Sequence, residues 1–166
     1  NKIEKYIIKN FKDYPLNLIY EPSILGTGGG VKNIFNYTTD NKICVINSDI
    51  FWLEENKKEI AKFINESQDV SHCKILLSKK ENFYGLKKTN GDFNCRNGII
   101  SKWTYDNDII FYSGIQVLSN NIFHKTKKIF SINDIWNNLI LDNKLKGEFI
   151  SSKILHIGDK NSFLEL

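Results

Sequence analysis

The sequence predicts an α/β fold in which helices flank a mixed, mainly parallel sheet with an antiparallel hairpin region. In the first half, helical and strand-like segments alternate, the order typical of parallel strands joined by right-handed crossovers. Residues 43–46 form a continuous apolar run between polar residues, as in a strand buried on both faces. Over residues 84–105, short strand-like pieces and Asn-Gly turn signals replace the helices.

Hydrophobic periodicity and turn residues predict the elements of the first half. Apolar residues at helical spacing predict a helix with a buried face over residues 3–11, and residues 16–20 resemble a short strand. The expected elements that follow are a loop over 21–30, a helix to about 37, a strand at 43–46, a helix at 55–66 and a strand at 73–77.

The second half is predicted in the same way. Its expected elements are hairpin pieces over 84–105 with turns at 89–92 and 96–98, a strand at 109–118, a helix at 133–141, strands at 147–150 and 153–157, and a turn or helix from 161. We expect one domain over residues 1–166. Since the chain begins on a predicted helix with a buried face, we also expect that something preceding this helix has been removed.

Composition restricts the class of protein. A hydrophobic content of 41% over 166 residues is enough for one folded domain. The net charge of +4 is scattered and forms no basic stripe, so we expect no binding to nucleic acid. Without a long apolar stretch, a signal peptide or a disulfide framework among the three cysteines, the prediction is a cytoplasmic protein that does not bind membranes. Oligomeric state is not predicted.

A glycine-rich segment, Gly-Thr-Gly-Gly-Gly at residues 26–30, lies between a predicted strand and a predicted helix. Glycines let backbone amides approach a ligand closely, and a helix N-terminus favours an anion or a polar base edge. The segment lacks the lysine and hydroxyl of a P-loop, and Val31 stands where a dinucleotide fingerprint requires glycine. The alternative is a tight turn that only begins a helix.

A second polar segment, Asn47-Ser48-Asp49, follows the carboxyl end of the predicted strand 43–46. Ligands of open α/β sheets bind at this edge. A carboxylate there can hold Mg²⁺ against phosphate oxygens, because Mg²⁺ prefers one or two carboxylates together with substrate oxygens and water. The alternative is that Asp49 only caps the following turn.

Together these segments resemble the sugar-1-phosphate nucleotidyltransferase family. Residues 21–29 are similar to its Leu-Gly-Thr-Ala/Gly-Gly segment, residues 47–49 to its Asn-x-Asp metal motif, and residues 111–118 to the strand that passes the sugar. Residues 130–136 and 156–159 continue the match in the right order. The chain is most similar to the subgroup of N-acetylmuramate-1-phosphate uridylyltransferase and mannose-1-phosphate guanylyltransferases.

The resemblance implies a GT-A-type, Rossmann-like enzyme. It would transfer a nucleotidyl group from an NTP, with UTP favoured, to a sugar 1-phosphate, and would release pyrophosphate with the help of Mg²⁺. Asp49 would be the catalytic metal ligand. The resemblance places Asn47, Gly85 and Gly114 beside the sugar, and it assigns nucleotide binding to Glu21, Gly26, Thr27, Gly28 and Gly29.

The chain departs from the family pattern in two places. The family's Asp-Val-Gly-Thr-Pro, whose Asp is the second metal ligand, is replaced by His156-Ile157-Gly158-Asp159. Neutral histidine is a poor ligand for Mg²⁺, so the second ligand is open between His156 and Asp159. His156 could instead contact phosphate or fill a structural role. The family's opening strand and Gly-rich loop with Arg and Lys-Pro are also absent. The resemblance therefore implies that the N-terminal βαβ part of the domain is missing and that this chain alone is inactive.

Two other functions are alternatives to nucleotidyl transfer. A non-catalytic relative that binds nucleotide or sugar would explain the absent loop and His156. A glycosyltransferase with the same type of sheet is disfavoured, because its Asp-x-Asp metal motif is absent around Asp49.

Overall fold

The computed structural model describes residues 2–86, 88–105, 107–158 and 164. The helices in this part of the chain are α1 (Lys2–Asn10), α2 (Gly26–Ile34), α3 (Asn56–Glu66) and α4 (Ile132–Leu141). Its strands are β1 (Lys42–Ile46), β2 (Ile50–Phe51), β3 (Cys73–Lys79), β4 (Phe83–Tyr84), β5 (Phe93–Arg96), β6 (Ile99–Lys102), β7 (Ile110–Ser119), β8 (Leu145–Phe149) and β9 (Ile154–His156).

The larger sheet has the strand order β1-β7-β3-β8-β6-β5, which confirms the predicted mixed α/β class. Its pairing differs from the expectation. Strands β1 and β3 run in the same direction, but β7 lies between them and is antiparallel to both, and β3 with β8 forms the parallel ladder. Most side chains of β7 are buried, as is typical of an interior strand. Local sequence order alone does not predict a strand between β1 and β3.

Strand β1 lies at an edge of this sheet, so the prediction that it is buried on both faces is wrong. The side chain of Ile46 is 52% exposed, and Cys44 is exposed as well. A continuous apolar run is typical of a central strand, but the run by itself does not say which strands flank it.

A smaller sheet of three short strands, in the order β2-β9-β4, stands beside the larger one. Strand β9 is antiparallel to β2, with Ile50 opposite His156, and parallel to β4, with Phe83 opposite Ile154. Through this sheet, the segment that follows β1 pairs with the segment that follows β8. The predicted strand at 153–157 is confirmed here in a shorter form.

Two hydrophobic clusters cover the two faces of the larger sheet. Side chains alternate across β3, so Ile75 enters the cluster under α4 and Leu76 enters the cluster under α3. The α4-side cluster also contains Cys73 and Trp136, and the α3-side cluster contains Phe63, which is fully buried.

Helices and turns were predicted with uneven success. Helices α3 and α4 and the β5–β6 hairpin are confirmed, and positive φ at Asn97 and Gly98 matches the predicted Asn-Gly turn. Helix α1 forms, but none of its residues is buried. Residues 16–20 form no strand, and α2 begins at Gly26, so the loop expected over 21–30 is wrong from that point on. The expected C-terminal turn falls on residues that the structure does not describe, apart from residue 164.

Candidate active site

The segment that follows β1 is held by backbone hydrogen bonds on two sides. The Asn47 N–H donates to the carbonyl oxygen of Gly114 in β7, at 2.8 Å. The Ile157 N–H, just beyond β9, donates to the carbonyl oxygen of Asp49, also at 2.8 Å. The chain from Asn47 to Asp49 is therefore fixed between the larger and the smaller sheet.

Asp49 and His156 face each other across the β2–β9 ladder. The Asp49 Oδ2 atom lies 3.5 Å from His156 Nε2, so the two side chains form an ion pair whenever the histidine is protonated. The other carboxylate oxygen, Oδ1, is buried and has no hydrogen-bond partner among the described residues. A buried acceptor without a partner requires a ligand, an ion or a water molecule to satisfy it. The donor set fits Mg²⁺ through the carboxylate, whereas the imidazole is a poor ligand for this ion.

Two glycines allow the strands around Asp49 to approach one another. Gly114 has a φ of +85°, and a Cβ there would lie 2.5 Å from Ile50 Cγ1 and 3.3 Å from Asn47 Cβ. Gly85 has a φ of +82°, and a Cβ there would lie 2.3 Å from the carbonyl oxygen of His156. The space that a side chain at Gly114 would need is therefore occupied by Ile50 and Asn47, and the space at Gly85 by the backbone of His156.

The structure brings five of the predicted site residues to one place: Asn47, Asp49, Gly85, Gly114 and His156. Their predicted contacts with sugar and metal stay predictions. Asp159, the alternative second metal ligand, lies outside the described residues. Within the part of the chain that is described, no group of three or more His, Cys, Asp or Glu side chains could hold a metal ion.

The glycine-rich segment forms the first turns of α2 and packs on the chain that precedes α4. The N–H groups of Gly28 and Gly29 both donate to the carbonyl oxygen of Phe130, at 3.1 and 3.2 Å. Thr27 Oγ1 accepts a hydrogen bond from the Ile132 N–H at 3.0 Å. The amides of Gly28 and Gly29 are therefore bonded within the chain. These contacts match the alternative interpretation of the segment, a tight turn that only begins a helix.

The other predicted nucleotide residues lie at the same end of α2. Gly26 has a φ of +74°, and a Cβ there would lie 2.6 Å from the carbonyl oxygen of Phe130. Glu21 is exposed, and its Oε1 atom would lie 2.8 Å from a Cβ on Gly30. Nucleotide binding by Glu21, Gly26, Thr27, Gly28 and Gly29 stays a prediction.

One residue that sequence reasoning missed, Tyr112, lies near the Asp49 site. Burial raises the pKa of the Tyr112 hydroxyl, and the charges of Cys73, Cys44 and Asp49 raise it further. The hydroxyl oxygen is buried, and its interaction with the Gln116 side chain offsets the rise in pKa only in part. The signal available in the sequence was its place two residues before Gly114, within the matched strand.

The ring of Tyr112 forms part of the wall of a cavity of about 400 Å³. It meets the ring of Trp136 edge to face, with centroids 4.9 Å apart. Polar side chains form another part of the wall, which Gly91 and Phe93 also line: Lys88, Asp92, Asn133 and Asn137. The volume is in the range of small-molecule pockets, but the lining is more polar than is usual for them.

None of the helices in the described residues is long and apolar enough to cross a membrane. None of the protein-family models that were compared matches the chain. A curated relative, the D-glycero-α-D-manno-heptose 1-phosphate guanylyltransferase of Aneurinibacillus thermoaerophilus, is 30% identical over 69 residues. The match spans 42% of this chain and 30% of the relative, which is less than a third of the relative's length.

Solved structures share the fold over almost the whole chain. HddC from Yersinia pseudotuberculosis, in a complex with GMP-PN, has a TM-score of 0.67 and 24% identity, over 99% of this chain and 71% of HddC. The inositol-1-phosphate CTP transferase from T. maritima has a TM-score of 0.72 and 12% identity, over 97% of this chain and 67% of that protein. The homologue and the structural neighbours bear out the predicted resemblance to sugar-1-phosphate nucleotidyltransferases and the Rossmann-like fold.

Proposed function

We propose that this chain, whose relatives are sugar-1-phosphate nucleotidyltransferases, belongs to an enzyme that transfers a nucleotidyl group from an NTP to a sugar 1-phosphate. The observation that carries the proposal is the Asp49 carboxylate beside the end of β1, whose buried Oδ1 atom has no hydrogen-bond partner among the residues that the structure describes. Ligands of open α/β sheets bind at such an edge. The names of the guanylyltransferase and the CTP transferase support the same class of reaction.

The proposed reaction is an in-line displacement at phosphorus. A phosphate oxygen of the sugar 1-phosphate attacks the α-phosphorus of the NTP and forms a new P–O bond. The bond from the α-phosphorus to the oxygen that bridges to the β-phosphorus breaks, and pyrophosphate leaves with the electron pair. The protein mainly has to place two polyanions in line and to offset their charge.

Asp49 is the residue that would hold Mg²⁺, through the carboxylate oxygen that has no partner within the described chain. When bound, Mg²⁺ would neutralise phosphate charge at the place where the two substrates meet. His156, 3.5 Å from the other carboxylate oxygen, keeps Asp49 oriented and in its protonated form offers a positive charge toward phosphate. Asp159 remains the alternative second ligand proposed from the sequence.

The nucleobase is a finer part of the proposal. The sequence resemblance favours uridylyl transfer, whereas the names of the relatives refer to guanylyl transfer and to CTP. Transfer from UTP, cytoplasmic location, a role in making cell-envelope precursors and inactivity of residues 1–166 alone all stay predictions.

Pyrophosphate release tests the proposal. The protein, in the full length in which it is encoded, is assayed with each of the four NTPs and a panel of sugar 1-phosphates in the presence of Mg²⁺. We expect turnover with one base and one group of sugars. Asp49→Asn should lower kcat/KM roughly 100-fold or more, because a group that stabilises transition-state charge is removed.

The matched control is Asp69→Asn, the same change at an exposed carboxylate in the turn after α3. Its activity should stay within about twofold of the unchanged protein, as for most surface substitutions. Full activity in Asp49→Asn would refute the metal role. Nucleotide binding without turnover on any sugar would instead identify the non-catalytic relative.

A further inference from the structure

The Asp49–His156 pair depends on a very short strand ladder. Strands β2 and β9 share two residue pairs, Ile50 with His156 and Phe51 with Leu155. Strand β4 adds two more pairs on the other side of β9. Ladders of this length are marginal in water, so other contacts must hold β9 beside Asp49.

Those contacts come from α3 and from Glu55, the residue before it, and they bind the turn that leads from β8 into β9. One oxygen of Glu59, Oε2, accepts hydrogen bonds from the N–H and the hydroxyl of Ser151, at 2.7 and 2.8 Å. The other oxygen, Oε1, accepts from the Ser152 N–H at 3.0 Å. Glu55 Oε1 accepts from the Lys153 N–H at 3.2 Å. Three consecutive amides of the turn are therefore bound by carboxylates.

Asn56 links the two segments that carry the pair. Its Oδ1 atom accepts a hydrogen bond from the Leu53 N–H at 2.6 Å, in the chain just after β2. Its Nδ2 atom donates to Ser152 Oγ at 2.7 Å and to the Lys153 carbonyl oxygen at 2.9 Å, just before β9. The residue is fully buried, and each side of its amide has partners of the required kind.

We propose that Asn56 and Glu59 are positioning residues for the Asp49 site, acting through the turn at residues 151–153 and not on the ligand itself. They hold β9 against β2 and so set the separation of His156 from Asp49. The value of this separation for catalysis rests on the function proposed above. The placement of β9 is a property of the chain that can be measured independently.

The sharpest substitution is Asn56→Asp, which keeps the size of the side chain. A carboxylate cannot donate to the Lys153 carbonyl oxygen, so the link between the two segments breaks inside the protein. The matched control is Asn65→Asp, the same change at an exposed position of α3. A milder pair is Glu59→Gln with Glu66→Gln as its control, which serves if Asn56→Asp does not fold.

Amide hydrogen exchange at Ile157 measures the placement of β9, because this N–H bonds to the Asp49 carbonyl oxygen. The Ser119 N–H, bonded to His72 far from the turn, serves as the reference for global opening. We expect exchange at Ile157 to become roughly tenfold faster in Asn56→Asp or Glu59→Gln, with little change at Ser119 or in the control variants. Unchanged exchange at Ile157, or equal acceleration at both amides, would overturn the proposal.

Binding of Mn²⁺ alone, measured by water-proton relaxation, tests whether the position of β9 affects the Asp49 site. We expect Asn56→Asp to weaken Mn²⁺ binding by about tenfold, the range seen when partners of a metal ligand are removed. If exchange at Ile157 accelerates while Mn²⁺ affinity is unchanged, the turn does not position the site. If the unchanged protein binds no Mn²⁺, the metal role of Asp49 fails, whereas exchange at Ile157 still decides the role of Asn56 and Glu59.

Discussion

Gly29 and Gly30 are neighbours on α2 with opposite surroundings. A Cβ on Gly29 would lie 2.4 Å from the backbone carbonyl oxygen of Lys128. The atoms nearest to a Cβ on Gly30 would be those of the Glu21 carboxylate, from 2.8 Å, which is the tip of a flexible side chain. The two positions therefore distinguish a glycine that packing requires from one that it does not.

We predict that Gly29→Ala destabilises the protein by about 1–3 kcal/mol, the usual cost of an overpacked contact. Gly30→Ala should be neutral or stabilising by up to about 1 kcal/mol, because alanine is the better helix former and the Glu21 side chain can move. Urea unfolding of the two variants measures the difference. Equal stability of the two variants would show that the segment at 128–131 does not press on α2.

At the residue scale, the structure brings together five residues that the sequence proposed for the site, while their binding roles stay predictions. Asn47, Asp49, Gly85, Gly114 and His156 come together, although four separate segments carry them. The place of Asn47 and Asp49 just after β1 could be inferred from local patterns, whereas Gly114 lies within β7. The bonding of the glycine-rich amides to Phe130 could not, because that contact joins segments about 100 residues apart, and spacing along the chain does not report it.

At the scale of elements, α3 and the turn at residues 151–153 are held together by a charge. Partial burial of Glu59 acts to raise its pKa, but the hydrogen bonds from Ser151 and Ser152 together outweigh this effect, and the pKa is lowered. A carboxylate whose pKa is lower in the folded state contributes stability above its ordinary pKa and loses it as the pH falls through the folded value.

We therefore predict that Glu59→Gln is less stable than the unchanged protein at pH 7, and that the difference shrinks below about pH 4.3, the ordinary glutamate value. Urea midpoints at pH 7 and pH 3 measure it. Glu66→Gln, which removes an exposed pair with Lys62, should differ little from the unchanged protein at either pH. A constant difference for Glu59→Gln at both pH values would contradict the prediction.

The elements themselves were predicted to different extents for one physical reason. Helices α3 and α4 have an apolar stripe that packs within the chain, so their periodicity matches their surroundings. The pattern at residues 16–20 has apolar residues but no strand forms, and Leu16 and Leu18 are about half exposed. Pattern alone shows that a segment is suited to a strand, whereas a strand also needs a neighbour to pair with.

At the scale of the whole molecule, the two hydrophobic clusters are joined through the strands that they share. Strand β3 contributes Ile75 to one cluster and Leu76 to the other. Burial raises the pKa of the Cys73 thiol in the α4-side cluster to about 12, so this thiol stays protonated at neutral pH. Since the thiolate is the reactive form, Cys73 reacts only when the sheet opens.

We predict that Phe63→Ala, on the opposite face, lowers the free energy of unfolding by about 3–5 kcal/mol. Because the clusters share one sheet, it should also accelerate alkylation of Cys73, which mass spectrometry of the peptide can follow. Phe51→Ala, at a position 53% exposed, is the control and should change neither quantity much. A large loss of stability without faster alkylation of Cys73 would show that the faces open separately.

Strand order was the least predictable property at this scale. The sequence predicts β1 and β3 as strands of a parallel sheet, but β7, which begins 31 residues beyond the end of β3, pairs with both of them in the antiparallel direction. Choosing among partner strands depends on burial over the whole sheet, which no local window contains. The mixed α/β class followed from the sequence, whereas the pairing did not.

The same strand order has a consequence for synthesis of the protein. Strand β3, an almost wholly buried strand of the sheet, pairs with β7 and β8, which begin only at Ile110 and Leu145. While the ribosome is still adding the residues of β7 and β8, the apolar side chains of β3 have emerged without the strands that cover them. Between translation of residue 79 and residue 149, the nascent chain therefore presents a segment of the kind that chaperones bind and that aggregates in their absence.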